Sequence, residues 1–106
     1  MATIVWSIKA QMSLDERFEY TVNAFGEKTA QRFYEKVFKD VKRLESFPEI
    51  GFPEPLLSNR KENFRACIVQ KPIKMVYHYD KDTDTVFIDN FWDTRRNPDT
   101  LKTEVL

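Results

Sequence analysis

Hydrophobic positions along the chain switch from a strand period to a helical one and back again. Thr3-Ile4-Val5-Trp6 is β-branched and aromatic and predicts a short strand that opens the fold. Ser13 followed by Glu16 has capping-box spacing, and Leu14, Phe18, Val22 and Phe25 then recur at helical steps until Gly26 supplies a stop. A second helix resumes at Glu27. There Ala30, Phe33, Val37, Val41 and Leu44 make one apolar stripe, while Lys28, Arg32, Lys36, Lys39 and Arg43 occupy the other faces. It should end near Phe47, because Pro48 cannot continue a helix. Two amphipathic helices joined by one glycine predict an antiparallel hairpin.

The stretch from Phe47 to Pro55 is a proline-punctuated connector whose apolar residues are expected to pin it to the core. Beyond it the period returns to two, in Phe64 to Val69, Ile73 to Tyr79 and Thr85 to Trp92. The intervening loops, Gln70-Lys71-Pro72 and Asp80 to Asp84, are short, so these strands should form a three-stranded antiparallel meander. The predicted class is α+β: an N-terminal strand, a helical hairpin on one face of the sheet, then the meander, in one domain over residues 1–106. The other sheet face is then expected to be free to carry a site.

Composition narrows the function classes. Seventeen Lys+Arg balance seventeen Asp+Glu, so any basic site must be a local patch in a neutral chain. One cysteine, Cys67, and one histidine, His78, leave no internal disulfide and no Cys-based zinc cluster, and no metal or other cofactor is expected. Uncharged stretches such as Thr3 to Ile8 fall far short of the roughly 20 apolar residues that cross a bilayer. The N-terminus has no basic region followed by an apolar run, so the expected home is a reducing cytoplasm.

Local charge is uneven. Between Arg60 and Lys74 stand Arg60, Lys61, Arg65, Lys71 and Lys74 against the single acid Glu62. Period-two alternation puts Lys74, Val76 and His78 on one face of the middle strand and Met75, Tyr77 and Tyr79 on the other. Arg65, Lys74, Arg95 and Arg96 are therefore candidates for a phosphate-binding ring, with His78 to move a proton, since an imidazole titrates near neutrality. A sheet face of solvated cations, with His78 a plain strand residue, accounts for the same pattern. Asp80, Asp82 and Asp84 imitate the start of a calcium loop, but Thr85 and Phe91 stand where glycine and glutamate are needed, so a turn of solvated acids is expected. Cys67, in an apolar strand, is expected to be a buried structural thiol. Tyr34 and Phe38, beside the main stripe, widen the apolar face enough to suit a partner chain.

The order of these elements, Phe64-Arg65 opening the second strand, Lys74-Met75-Val76-Tyr77-His78-Tyr79, and Trp92 followed closely by Arg95-Arg96 together resemble the RelE/ParE superfamily of bacterial type II toxins over nearly the whole chain. The resemblance implies a small toxin held inactive by a cognate antitoxin, the pair usually repressing its own promoter. It implies one of two targets: the ribosome, where relatives cut mRNA with basic residues that activate the ribose 2′-hydroxyl, or DNA gyrase, which others poison without chemistry. Lys74 sits where cleaving relatives commonly have arginine, Arg95 or Arg96 matches the C-terminal arginine, and Arg65 the strand-two arginine. Catalytic candidates are thus Lys74, His78, Arg95 and Arg96, and RNA phosphate would meet Arg65, Lys71 and Lys74. Two features depart from the cleaving pattern. No tyrosine or histidine follows Trp92, and a neutral chain gains little from counterion release among ribosomal phosphates. A detoxified protein kept for antitoxin binding and transcriptional autoregulation is the alternative.

Overall fold

The computed structural model describes residues 1–104. The elements are β1 (Thr3–Trp6), α1 (Ile8–Phe25), α2 (Glu27–Ser46), β2 (Phe52–Pro53), a 3-10 turn (Pro55–Leu57), β3 (Phe64–Gln70), β4 (Ile73–Asp80), β5 (Thr85–Asp93) and α3 (Pro98–Glu104). They form one five-stranded sheet in the order β1-β5-β4-β3-β2. β3, β4 and β5 are the predicted antiparallel meander, and β1 lies parallel to β5, a pairing that the helical hairpin makes possible by carrying the chain across one face.

The helical stripe is buried as its spacing requires: Ala30, Phe33, Val37, Val41 and Leu44 of α2 all lie in the interior. Most of them, with Ala10 and Leu14 of α1, pack on Ile73, Met75, Tyr77, Val86, Ile88 and Phe91 of the sheet. Each large apolar side chain so buried contributes about 1.5–3 kcal/mol. Gly26 separates the helices at φ +91°, a conformation that strains any residue with a Cβ.

The start of α1 differs from the capping-box expectation. The helix begins at Ile8, with Ser7 as its cap: the Ser7 hydroxyl accepts the Ala10 N–H at 2.9 Å. Ser13 lies inside the helix, where its hydroxyl accepts the Phe91 N–H at 3.1 Å and ties α1 to β5. Ala10, not a glutamate, stands three residues after Ser7, so the sequence lacked the reciprocal half of the motif there.

The connector is also held differently from expectation. Phe47, Ile50 and Phe52 are exposed, and the segment is pinned by polar contacts instead. The Gly51 N–H donates to the Tyr77 hydroxyl at 2.9 Å, and Arg65 donates to the Gly51 carbonyl at 2.8 Å. A Cβ at Gly51 would lie 2.8 Å from both the Ala66 carbonyl and the Tyr77 ring, so the close approach needs glycine. Burial pushes the Tyr77 phenol up to about 12, keeping it a donor-acceptor at every physiological pH.

The second sheet face is not free along its length. α3 and the 3-10 turn fold over one end of it, and Leu57 and Leu101 close a small second core with Phe64, Val76 and Trp92. α3 was foreseeable only from its start. The Asn97 side chain accepts the Asp99 N–H at 3.0 Å, with Pro98 as the first helical residue, but Leu101 is its one buried apolar residue and no periodicity announces it. Val105 and Leu106, the end of the C-terminal tail, lie outside the described residues.

Candidate functional site

The outer face of β4 carries Lys74, Val76 and His78, while Met75 and Tyr77 point into the helical core, as alternation requires. Lys74 does not face solvent. Its ammonium pairs with the Glu54 carboxylate, and the two side chains are 9 % and 0 % exposed. Glu54 Oε2 also accepts the Leu56 N–H at 3.1 Å, which caps the 3-10 turn. Lys74 therefore fastens the turn to the sheet beside Trp92, its register partner on β5.

His78 lies at the open end of the same face. The β4–β5 register shifts between Val76 and Tyr77, so that Val76 opposes Asn90, Tyr77 opposes Ile88, and Asp89 is the extra residue of a bulge. Helix α1 clamps that bulge from behind: the Ser7 N–H donates to the Ile88 carbonyl at 3.0 Å and the Ser7 hydroxyl to the Asp89 carbonyl at 3.1 Å. The Asp89 carboxylate then meets His78 Nδ1 at 2.7 Å, with side-chain exposures of 5 % for Asp89 and 16 % for His78. Burial raises the Asp89 carboxyl above its ordinary range, and the hydrogen bond and charge of His78 oppose that rise.

The imidazole is fixed on two more sides. It stacks on Phe87 at 4.8 Å and 13°, and Phe64 meets it edge-on at 5.2 Å. With Nδ1 held by the carboxylate, Nε2 is the nitrogen left for exchange with the cleft that His78 lines, a concavity of about 630 Å³. Lys61, Arg65 and Lys81 line this cleft against Glu49, Glu62, Asp80 and Asp82, so its lining is mixed and not a cationic cradle.

The remaining candidates disperse. Arg65 reaches the cleft, but it donates to the Glu49 and Gly51 carbonyls and pairs with the Glu49 carboxylate at 3.5 Å. Arg95 is engaged by Asp93 through two side-chain hydrogen bonds of 3.0 and 2.7 Å, which hold the Asp93 carboxyl down at about 2. The Arg96 guanidinium lies 4.5 Å from the Trp92 ring centroid. Lys71 sits in the β3–β4 turn and shares a different groove with Arg95. The structure thus brings His78 and Arg65 to one cleft, Lys71 and Arg95 to another, and Lys74 to neither.

With this geometry in view, the sequence from residue 4 to residue 98 matches the family described as the ParE toxin of the type II toxin-antitoxin system, parDE. The chain belongs to the ParE toxin family. Its fold is similar to a structure described as the chromosomal ParDE toxin-antitoxin system from P. aeruginosa, at 20 % identity and a TM-score of 0.67, covering 86 % of this chain and 94 % of that one. It is also similar to a metal-bound toxin from Helicobacter pylori, at 22 % identity and a TM-score of 0.63, covering 90 % of this chain and 97 % of that one. No curated protein matches the sequence.

Within this ParE-family chain the lesser candidates also find places. Cys67 is half-buried at the edge of the main core, less enclosed than expected because β2 covers only part of β3; burial raises its pKa, with Asp40 adding to the effect. Asp80, Asp82 and Asp84 form a turn in which Asp80 accepts the Asp82 N–H at 3.0 Å and Tyr79 donates to Asp84 at 2.6 Å. Among the described residues no three His, Cys, Asp or Glu side chains group as metal ligands, and no helix is long and apolar enough to cross a membrane. Sequence reasoning missed Glu54 and Asp89, the partners of its two leading candidates. Asp89 did carry a signal: it is a carboxylate inside the apolar run from Val86 to Trp92, where an acid needs a partner.

Proposed function

We propose that this ParE-family toxin arrests growth by binding DNA gyrase, with no cleavage of mRNA, and that an antitoxin holds it inactive until released. The observation that carries this reading is the burial of Lys74 against Glu54. A cleaving site needs cations free to meet a phosphate as its charge develops. Freeing Lys74 strands a buried carboxylate, at a cost of about 3–5 kcal/mol. Arg65 and Arg95 are likewise paired with Glu49 and Asp93, and the chain has no net charge to draw it among ribosomal phosphates. Membership of a toxin-antitoxin family supports the antitoxin.

The test adds the purified chain in parallel to a gyrase supercoiling reaction and to cell-free translation with the 5′ ends of the messenger mapped by primer extension. Loss of supercoiling with intact messenger is expected. New ends inside codons that vanish when ribosomes are omitted would overturn the proposal.

One observation favours a second reading, a ribosome-dependent endoribonuclease: Asp89 holds Nδ1 of His78, and the ring lines an open cleft that also holds Arg65. In that reading Nε2 exchanges the proton of the attacking 2′-hydroxyl. Any new messenger ends would then disappear with His78→Ala.

A further inference from the structure

A second concavity, of about 290 Å³, lies at the closed end of the helical hairpin, where the turn from Gln70 to Ile73 faces the end of α1 and the start of α2. Its floor is apolar, because the core residues Phe33 and Ile73 both reach it beside Pro72. Its charged lining is of one sign: Arg17, Lys71 and Arg95, with no carboxylate among the lining residues.

The balance beneath that lining is incomplete. Asp93 is shared by Arg95, through two hydrogen bonds, and by Arg17, at 3.5 Å, while Lys71 makes no ion pair among the described residues. Three cations against one carboxylate leave two positive charges concentrated here in a chain whose total is zero. Two aromatic rings stand at the rim largely exposed, Tyr20 at 49 % and Phe25 at 63 %. The Arg17 guanidinium lies 4.6 Å from the Tyr20 centroid, and Tyr20 meets Phe25 edge-on at 6.4 Å. Exposed aromatics and arginine around an apolar pocket are the residue types that concentrate binding energy in protein interfaces.

We propose that this groove docks an acidic segment of a partner protein, with one aliphatic or aromatic side chain seated on the Phe33–Ile73 floor and flanking carboxylates against Arg17, Lys71 and Arg95. Naming that partner as the antitoxin rests on the proposed function; the groove's preference for an acidic peptide does not. The small local charge suits a few carboxylates better than a nucleic acid, which gains affinity from many phosphate contacts. Complementary charge at the rim would speed docking and reject basic segments.

The test titrates the full chain, labelled with nitrogen-15, with a short synthetic peptide of glutamates carrying leucine and phenylalanine at four-residue steps. A matching peptide with lysine for glutamate and a single-stranded oligonucleotide serve as controls. The acidic peptide should shift amide signals from Arg17 to Phe25, Lys71, Ile73 and Arg95, and Lys71→Glu with Arg95→Glu should weaken it about tenfold or more. Lys71→Glu alone gives the same direction without disturbing the Arg95–Asp93 pair. Absent binding, shifts that map elsewhere, or an affinity indifferent to both variants would overturn the proposal. So would tighter binding of the oligonucleotide, or wild-type self-association abolished by Lys71→Glu, which would make the occupant a nucleic acid or a second copy. Expression of the wild-type chain in cells separates the two claims: failure to arrest growth removes the toxin reading and leaves the peptide result standing on its own.

Discussion

Lys74 and His78 stand four residues apart on the same face of β4, and each meets a carboxylate from elsewhere in the chain. At the Lys74 end the 3-10 turn and α3 close over the sheet, and the ion pair is sealed beside Trp92 and Leu101. At the His78 end no comparable segment among the described residues folds over, and the imidazole lines a cleft. The strand's alternation places both residues; what later segments cover decides which one can touch a ligand. A cation predicted to be catalytic thus serves as an anchor, while the residue with the better access has its ring held by a buried acid.

The largest effect that would sharpen this contrast is Lys74→Ala, which strands Glu54 and should cost about 3–5 kcal/mol in urea unfolding. An effect under about 1 kcal/mol, the range of an exposed pair, would erase the distinction between the two ends. Next is Leu101→Ala, which opens the lid over the closed end and should cost about 2–4 kcal/mol, as for other buried leucines.

His78→Ala should cost less, about 1–3 kcal/mol near neutral pH, and its cost should depend on pH. Asp89 already has a raised pKa, so the folded state loses stability as pH rises through the range above 3.8 and Asp89 ionises. Without His78 that pKa rises further, and the gap between variant and wild type should widen as pH rises above about 4. A pH-independent gap would remove the coupling.

The smallest effect is Asp93→Asn. The Asp93 carboxyl is held at about 2 against an ordinary 3.8, so its contribution is present above pH 3.8 and is lost as pH falls toward 2. The variant should be destabilised by less than about 1 kcal/mol near neutrality and should converge with wild type across that window.

Periodicity made much of this fold legible, because hairpin and meander each bury one continuous face: the spacing of Ala30, Phe33, Val37, Val41 and Leu44 and the alternation along β4 both appear as buried surfaces. The parts that escaped have weak periodicity or depend on distant pairing. α3 buries one apolar residue, β2 has two residues, and the bulge at Asp89 follows from registering β5 against β4. The candidate site was legible as a set of residue types and not as a constellation. Nothing local marks Glu54 as the partner of Lys74, twenty residues on, or joins Lys71 to Arg95 across the turn.

The most direct test of the central claim, that Lys74 anchors and does not catalyse, removes both charges of its pair while keeping their volumes. Lys74→Met with Glu54→Gln leaves no stranded ion and preserves an acceptor for the Leu56 N–H. Growth arrest and stability should both be retained in the double variant, measured by expression in cells and by urea unfolding of the purified chain. A variant that folds with wild-type stability but no longer arrests growth would contradict the account and return Lys74 to the site of action.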